Sequence, residues 1–154
     1  MNLEVRAVIM HDGRLVVSRE RRFGEERLSL PGGRVERRES VEAALEREVL
    51  EETGLSVVVG RLLYVFEVLS RVELDDLNLV FLAEPADASA EARLAQVDTV
   101  DVTSANDVLP PITDLISGDL GNQWAETPRW LGNIWERGWR RSTDTEASVD
   151  SERA

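Results

Sequence analysis

Residues Leu30 to Leu55 read LPGGRVERRESVEAALEREVLEETGL. Pro31-Gly32-Gly33 makes a turn. Ser40 then precedes a run of strong helix formers, Ala43, Ala44, Leu45, Glu46, Arg47 and Glu48, and so predicts a helix with Ser40 as N-cap. Gly54 is the expected stop, since it accepts the left-handed backbone that closes a helix. Glu48, Glu51 and Glu52 stand at i, i+3 and i+4, which puts them on one face. That face lies in the last turns, where the helix dipole disfavours carboxylates. Glu48 and Glu52 also project onto the stripe of Val41, Leu45 and Val49, whereas a solvated face would lie opposite it.

Three like charges at the wrong pole call for a counter-ion. Arg47 can reach Glu51 at i+4, but one guanidinium does not neutralise three carboxylates. A hard divalent cation does: Mg²⁺ takes oxygen ligands, keeps several waters and is held by a few carboxylates together with substrate phosphates. The plain alternative is an acidic helix whose surface pairs are Arg47–Glu51 and Arg47–Glu46.

Counted from Gly33, the order is five residues, Glu39, seven residues, Arg47-Glu48-Val49, one residue, Glu51-Glu52, one residue, Gly54-Leu55. This pattern resembles a complete Nudix box, with every fixed position filled and Val49 and Leu55 in the apolar slots. The resemblance implies an α/β fold, an α/β/α sandwich with a mixed sheet. It implies cleavage of a diphosphate linkage in a nucleoside diphosphate derivative, with water attacking phosphorus and Mg²⁺ or Mn²⁺ as cofactor. By the same resemblance Glu48, Glu51 and Glu52 are metal ligands, joined by the carbonyl of Gly32 or Gly33. Glu48 is the candidate general base, Arg47 orients the carboxylates and Glu39 contributes nearby. One position departs from the pattern: Arg38 stands where many members carry glycine.

Elementary chemistry agrees with that implication. Phosphoryl transfer to water asks a protein mainly for positioning and charge neutralisation. Metal ions bridge phosphate oxygens and acidify a bound water. Carboxylates on a rigid helix hold such ions in place.

The rest of the chain narrows the choice. At 154 residues with net charge −12, it is expected to form one domain, over 1–141, with a polar disordered tail over 142–154. The charge argues against nucleic acid and anionic membranes as partners. There is no cysteine, and all 18 basic residues are arginine. That excludes thiolate and Schiff-base chemistry and a Walker-type phosphate loop. The single histidine, His11, sits in the turn-like His11-Asp12-Gly13 and reads as a hairpin residue. The N-terminus is neither a signal peptide nor a membrane segment, so a cytoplasmic location is expected.

In order, Leu3 to Met10 and Arg14 to Ser18 read as strands of a hairpin. Arg19 to Arg27 reads as a charged loop whose arginines could meet phosphates. Ser56 to Leu69 reads as a long strand bent at Gly60, followed by strands at Val72 to Leu74 and Leu77 to Ala83. Glu84 to Thr99 reads as a mobile loop with a short helix at Ala90 to Gln96. Val100 to Val102 reads as a strand. A helix from Thr103 or Ser104 to Val108 is expected to end at Pro110-Pro111. Thr127-Pro128 is expected to start another helix carrying Leu131, Trp135 and Trp139. With Trp124 and Trp130, these tryptophans read as a second helical layer on the sheet, or else as a base-stacking wall or homodimer contact.

The family resemblance also implies an extra carboxylate on a late loop, for which Glu84, Glu91 and Asp98 are equal candidates. A proline shortly after the box goes with ADP-ribose in such proteins, and no proline occurs between Gly32 and Glu84. A tyrosine further along goes with dinucleoside polyphosphates, and Tyr64 comes too early. The substrate expectation is a small nucleotide, a nucleoside triphosphate ahead of ADP-ribose or a nucleotide sugar. The alternative is a nucleotide-sensing module on the same fold that binds without turnover.

Overall fold

A computed structural model describes residues 1–22, 24–70 and 75–134. Strand β1 (Asn2–Val8) leads to β2 (Met10–His11). Asp12 and Gly13, with φ of 48° and 73°, supply the two left-handed residues of a tight hairpin turn. β3 (Arg14–Val16), β4 (Ser18–Arg22), β5 (Glu25–Ser29) and β6 (Gly32–Arg34) follow, then helix α1 (Val41–Thr53). After it come β7 (Val57–Val68), β8 (Asp76–Pro85), α2 (Ala88–Arg93) and a 3₁₀ turn over Leu94–Gln96. β9 (Thr99–Asp101), β10 (Val108–Leu109), α3 (Thr113–Leu120) and β11 (Arg129–Asn133) complete the described chain.

The main sheet has the order β11-β7-β8-β1-β6. It is mixed: β1 runs parallel to β8 and β11 parallel to β7, while β7/β8 and β1/β6 are antiparallel. Two three-stranded sheets flank it, β10-β5-β4 and β2-β3-β9. Alternation along the strands gives the main sheet two apolar faces. On one face Val5, Ala7, Phe81 and Ala83 pack with Leu45 and Val49 of α1. On the other, Tyr64, Phe66 and Val80 pack with Ile112 and Ile116 at α3. The architecture is therefore the expected α/β/α sandwich. Leu45 and Val49 are fully buried, each contributing about 1.5–3 kcal/mol, and they fix the rotation of α1 about its axis.

Local signals set the ends of α1. Ser40 Oγ accepts from the Ala43 N–H at 3.1 Å, and Gly54, with φ of 75°, donates its N–H to Leu50 O. The expected bend in β7 is also present: the β7/β8 register shifts between Val59 and Leu62, next to Gly60.

Three expectations are corrected. Arg19 to Arg27 is no loop; β4 and β5 pair across it, with Glu20 opposite Arg27 and Arg21 opposite Glu26. Opposite charges facing each other across the ladder offset poor intrinsic strand preference. The helix expected from Thr103 to Val108 is absent. Asp101 Oδ1 accepts from the Thr103 N–H and hydroxyl at 2.9 and 2.7 Å, a local turn that competes with a helix, and Val108–Leu109 pairs with β5. The helix comes after Pro110-Pro111, as α3.

The third correction concerns the C-terminal region. Residues 129–133, expected to be helical after Thr127-Pro128, form β11 on the edge of β7. Gly132, with φ of 69°, breaks the i+4 pattern, and the open edge of β7 supplies partners for the backbone. α3, rather than a tryptophan helix, forms the second helical layer. Trp124 packs on its core, while Trp130 is 60% exposed on the edge strand. Trp135, Trp139, the expected strand at Val72 to Leu74 and the expected tail lie outside the described residues. Among the described residues no helix is long and apolar enough to cross a membrane.

Candidate active site at the C-terminal half of α1

The glycine turn and α1 meet because two positions carry no side chain. A Cβ on Gly32 would collide with the Val5 carbonyl of β1, and Gly32 has a φ of 153°. A Cβ on Gly33 would lie 2.6 Å from Glu48 Cδ. The missing methyl groups let the turn lie flat against β1 and let the Glu48 carboxylate rest on the turn.

Arg47 is the centre of the polar network. Its Nε and Nη2 donate to the two oxygens of Glu39 at 2.8 and 2.9 Å. Its Nη1 donates to Glu48 Oε1 at 2.8 Å and reaches Glu51 Oε2 at 3.5 Å, and Nη2 also donates to the Arg34 carbonyl at 3.1 Å. The guanidinium thereby ties the loop after β6 to the helix. Hydrogen bonds from Arg47 and from the Glu36 N–H hold the Glu39 carboxyl down at about 2. Arg38, where a glycine is commoner, adopts a φ of 66°. The loop keeps a left-handed turn at that position despite the side chain.

Glu52 behaves differently. Exposed along its flank, it bends back so that Oε2 accepts from the Gly32 N–H at 3.1 Å. Burial of its carboxyl pushes the pKa up, against the opposing pull of that N–H, the Ser18 hydroxyl and Arg6. Arg6 is only 3% exposed. Its guanidinium donates to Glu4 at 3.0 Å, to Glu20 at 3.3 Å and to the Leu30 carbonyl at 3.2 Å. Burial works against its charge, but Glu20 and Glu4 outweigh that and keep it protonated.

The helix thus carries Glu48, Glu51 and Glu52 on adjoining positions as expected, while the side chains diverge. Glu48 and Glu51 turn to Arg47 and Glu52 to Gly32. Among the described residues no group of three acidic or histidine side chains stands close enough together to hold a metal ion. The donors nonetheless suit a hard cation, being carboxylate oxygens on one rigid helix. Positions i and i+4 share a face, so Glu48 and Glu52 stand on the same side of the helix.

A sequence profile of the NUDIX domain matches residues 1–117. The chain belongs to the NUDIX family. This is a family of hydrolases acting on nucleotide diphosphate linkages, generally with divalent metal ions. No curated protein matches the chain. Among solved structures, it is similar to a NUDIX hydrolase from Nitrosomonas europaea, at 22% identity and TM-score 0.64, over 80% of this chain and 90% of that one. It is similar to a MutT NUDIX hydrolase from Burkholderia pseudomallei, at 25% identity and TM-score 0.55, over 74% and 93% of the two chains. It is also similar to an ADP-ribose pyrophosphatase from Streptococcus suis, at 17% identity and TM-score 0.60, over 86% and 98%.

Within this NUDIX fold the late carboxylates are no longer equivalent. Glu84 is exposed near the end of β8 and Glu91 is exposed on α2. Asp98 lines a cleft of about 240 Å³ together with Ser18, Arg19, Glu52 and Thr53. It accepts from Arg19 Nε at 3.2 Å. Two groups that act on Glu52, Arg6 and Ser18, escaped the sequence reading. Arg6 gave a signal, a charge in the middle of an apolar first strand. Ser18 gave none, because only the fold brings it to Glu52.

Proposed function

We propose that this NUDIX protein hydrolyses the diphosphate linkage of a small nucleoside diphosphate derivative with Mg²⁺ or Mn²⁺. The observation that carries the reading is the junction of the Gly32-Gly33 turn with Glu48 and Glu52. Two carboxylates from one helix lean on the same tight turn, one on each glycine. Water adds to a phosphorus, the bridging P–O bond breaks, and the leaving phosphate keeps the electron pair.

Glu48, Glu51 and Glu52 would hold the metal, with the Gly32 carbonyl as a further oxygen donor. A bound divalent ion supplies charge neutralisation at the phosphates and a more acidic water. Glu48 is our candidate to take the proton of the attacking water. Arg47 holds Glu48 against Gly33 and, through Glu39, fixes the loop on which the turn depends. Asp98 is the late-loop carboxylate we favour, since it shares the cleft with Glu52. We take the location as cytoplasmic and the partner as a small nucleotide, in line with a net charge of −12 that repels nucleic acid and anionic lipid.

The test is a screen of nucleoside triphosphates, ADP-ribose and nucleotide sugars with each metal, reading phosphate or pyrophosphate release. We expect metal-dependent turnover that Glu52→Gln lowers by at least about a hundredfold. Binding without turnover for every compound would favour the sensing module instead.

A further inference from the structure

The cleft beside Glu52 does not end at Asp98. Arg93 and Gln96 line it, and both also line a second polar groove of about 570 Å³ that runs past Gly54 and Ser56 to Ser89 at α2. The two spaces lie side by side, with Arg93 and Gln96 in the wall of both. Arg93 stands at the junction because Gly54 has no side chain; a Cβ there would come within 2.9 Å of Arg93 Nη2. The guanidinium lies over the C-terminal end of α1, where the helix dipole favours a cation.

Two guanidinium groups line the inner cleft, and they differ. Arg19 is engaged, with Asp98 at 3.2 Å and Glu26 at 2.9 Å. Arg93 has no carboxylate within 4.0 Å among the described residues, and its side chain donates to the Gln96 amide oxygen at 3.0 Å. In a chain so acidic, an arginine left without an acidic partner beside the reaction centre has donors to spare. Phosphate oxygens take such donors in charge-assisted pairs, whereas a neutral sugar gains little from them. The residues lining the two spaces include no aromatic side chain, so nothing there would stack a second base.

We propose that Arg93 receives the group joined to the nucleoside diphosphate, that this group is an anionic phosphate, and that the substrate class is therefore nucleoside triphosphates. This rests on the hydrolase reading above and names its substrate class.

The experiment measures steady-state kinetics with Mg²⁺ for wild type, Arg93→Gln and Arg93→Lys. The substrates are ATP, GTP, CTP and UTP beside the matching nucleoside diphosphate glucoses. Arg93→Gln should raise KM for the triphosphates by about 10- to 100-fold, as for a lost hydrogen bond to a charged group. It should leave kcat, and KM for the sugars, nearly unchanged, and Arg93→Lys should recover part of the loss. Equal effects on both classes, no effect on triphosphates, or a wild-type preference for the sugars would overturn the proposal while leaving the hydrolase reading intact. If neither these compounds nor ADP-ribose turn over, that reading fails. The same three proteins are then titrated by calorimetry with the α,β-methylene triphosphates. A 10-fold or greater loss confined to Arg93→Gln supports the phosphate subsite, and equal affinities reject it.

Discussion

Arg47 and Glu39 meet as a two-point fork, Nε to Oε1 at 2.8 Å and Nη2 to Oε2 at 2.9 Å. Planar bidentate pairing of this kind fixes direction as well as distance. Its pH signature follows from the Glu39 carboxyl, which folding depresses from 4.5 to about 2. A depressed carboxylate stabilises the fold above its unfolded pKa, and that contribution is lost as pH falls toward the folded value. Urea unfolding between pH 7 and pH 2 should therefore show wild type losing stability below about 4.5 more steeply than Glu39→Gln. Parallel curves would show that the fork carries no such linkage.

Glu52 has the opposite sign. Burial raises its carboxyl pKa, so the ionised form weakens the metal-free fold, and the penalty sets in as pH rises above the ordinary carboxylate range. Glu52→Gln should raise the metal-free melting temperature at pH 7 and leave it unchanged at pH 4, although activity is lost. This is the trade between stability and function expected at a charged site. A lower melting temperature at pH 7 would contradict the assignment.

The adjacent glycines should fail in different ways when given a methyl group. In Gly32→Ala the new Cβ meets the Val5 backbone in a left-handed conformation, at a cost of about 3 kcal/mol or more. In Gly33→Ala its nearest neighbours are the atoms of the Glu48 carboxylate, a side-chain tip that can swing aside. The fold should survive with turnover down about a hundredfold through misplacement. Thermal unfolding and kcat of the two variants separate the cases.

Arg38 holds a φ of 66°, which costs a side-chain-bearing residue about 1–3 kcal/mol. Arg38→Gly should stabilise the protein by about 0.5–1 kcal/mol, the gain being reduced by the greater freedom of an unfolded glycine. Denaturant midpoints would measure it, and a destabilised variant would point to a role for the Arg38 side chain itself.

What could be read from the chain divides by the range of the signals. Ser40, Gly54 and the spacing of Leu45 and Val49 act within a few residues, and so the boundaries of α1 and the face it buries were legible. The box around Arg47 was legible for the same reason, and its contact with Glu39 follows a loop of fixed length. β4 and β5 were hidden because Glu20 and Arg27 favour a strand only when they face each other. β11 was hidden because its partner is the edge of β7, distant in sequence. The turn of Glu52 toward Gly32, and of Glu48 toward Arg47, depends on atoms rather than residue types, so helical spacing alone suggested a convergence that the side chains do not make.

The tie between β11 and the body of the sheet bears on where the protein can be cut. Tyr64 on β7 donates its hydroxyl to Asp119 at 2.6 Å, and Arg129 at the start of β11 grips the same carboxylate at 2.8 and 2.9 Å. The profile match stops at residue 117, ahead of both partners. A fragment trimmed to that boundary would leave a buried phenol without its acceptor and a row of β7 amides and carbonyls uncovered. Such a raw border invites chains to stitch together edge to edge. Expression trials should keep everything through Ile134, whose side chain closes the core below that border.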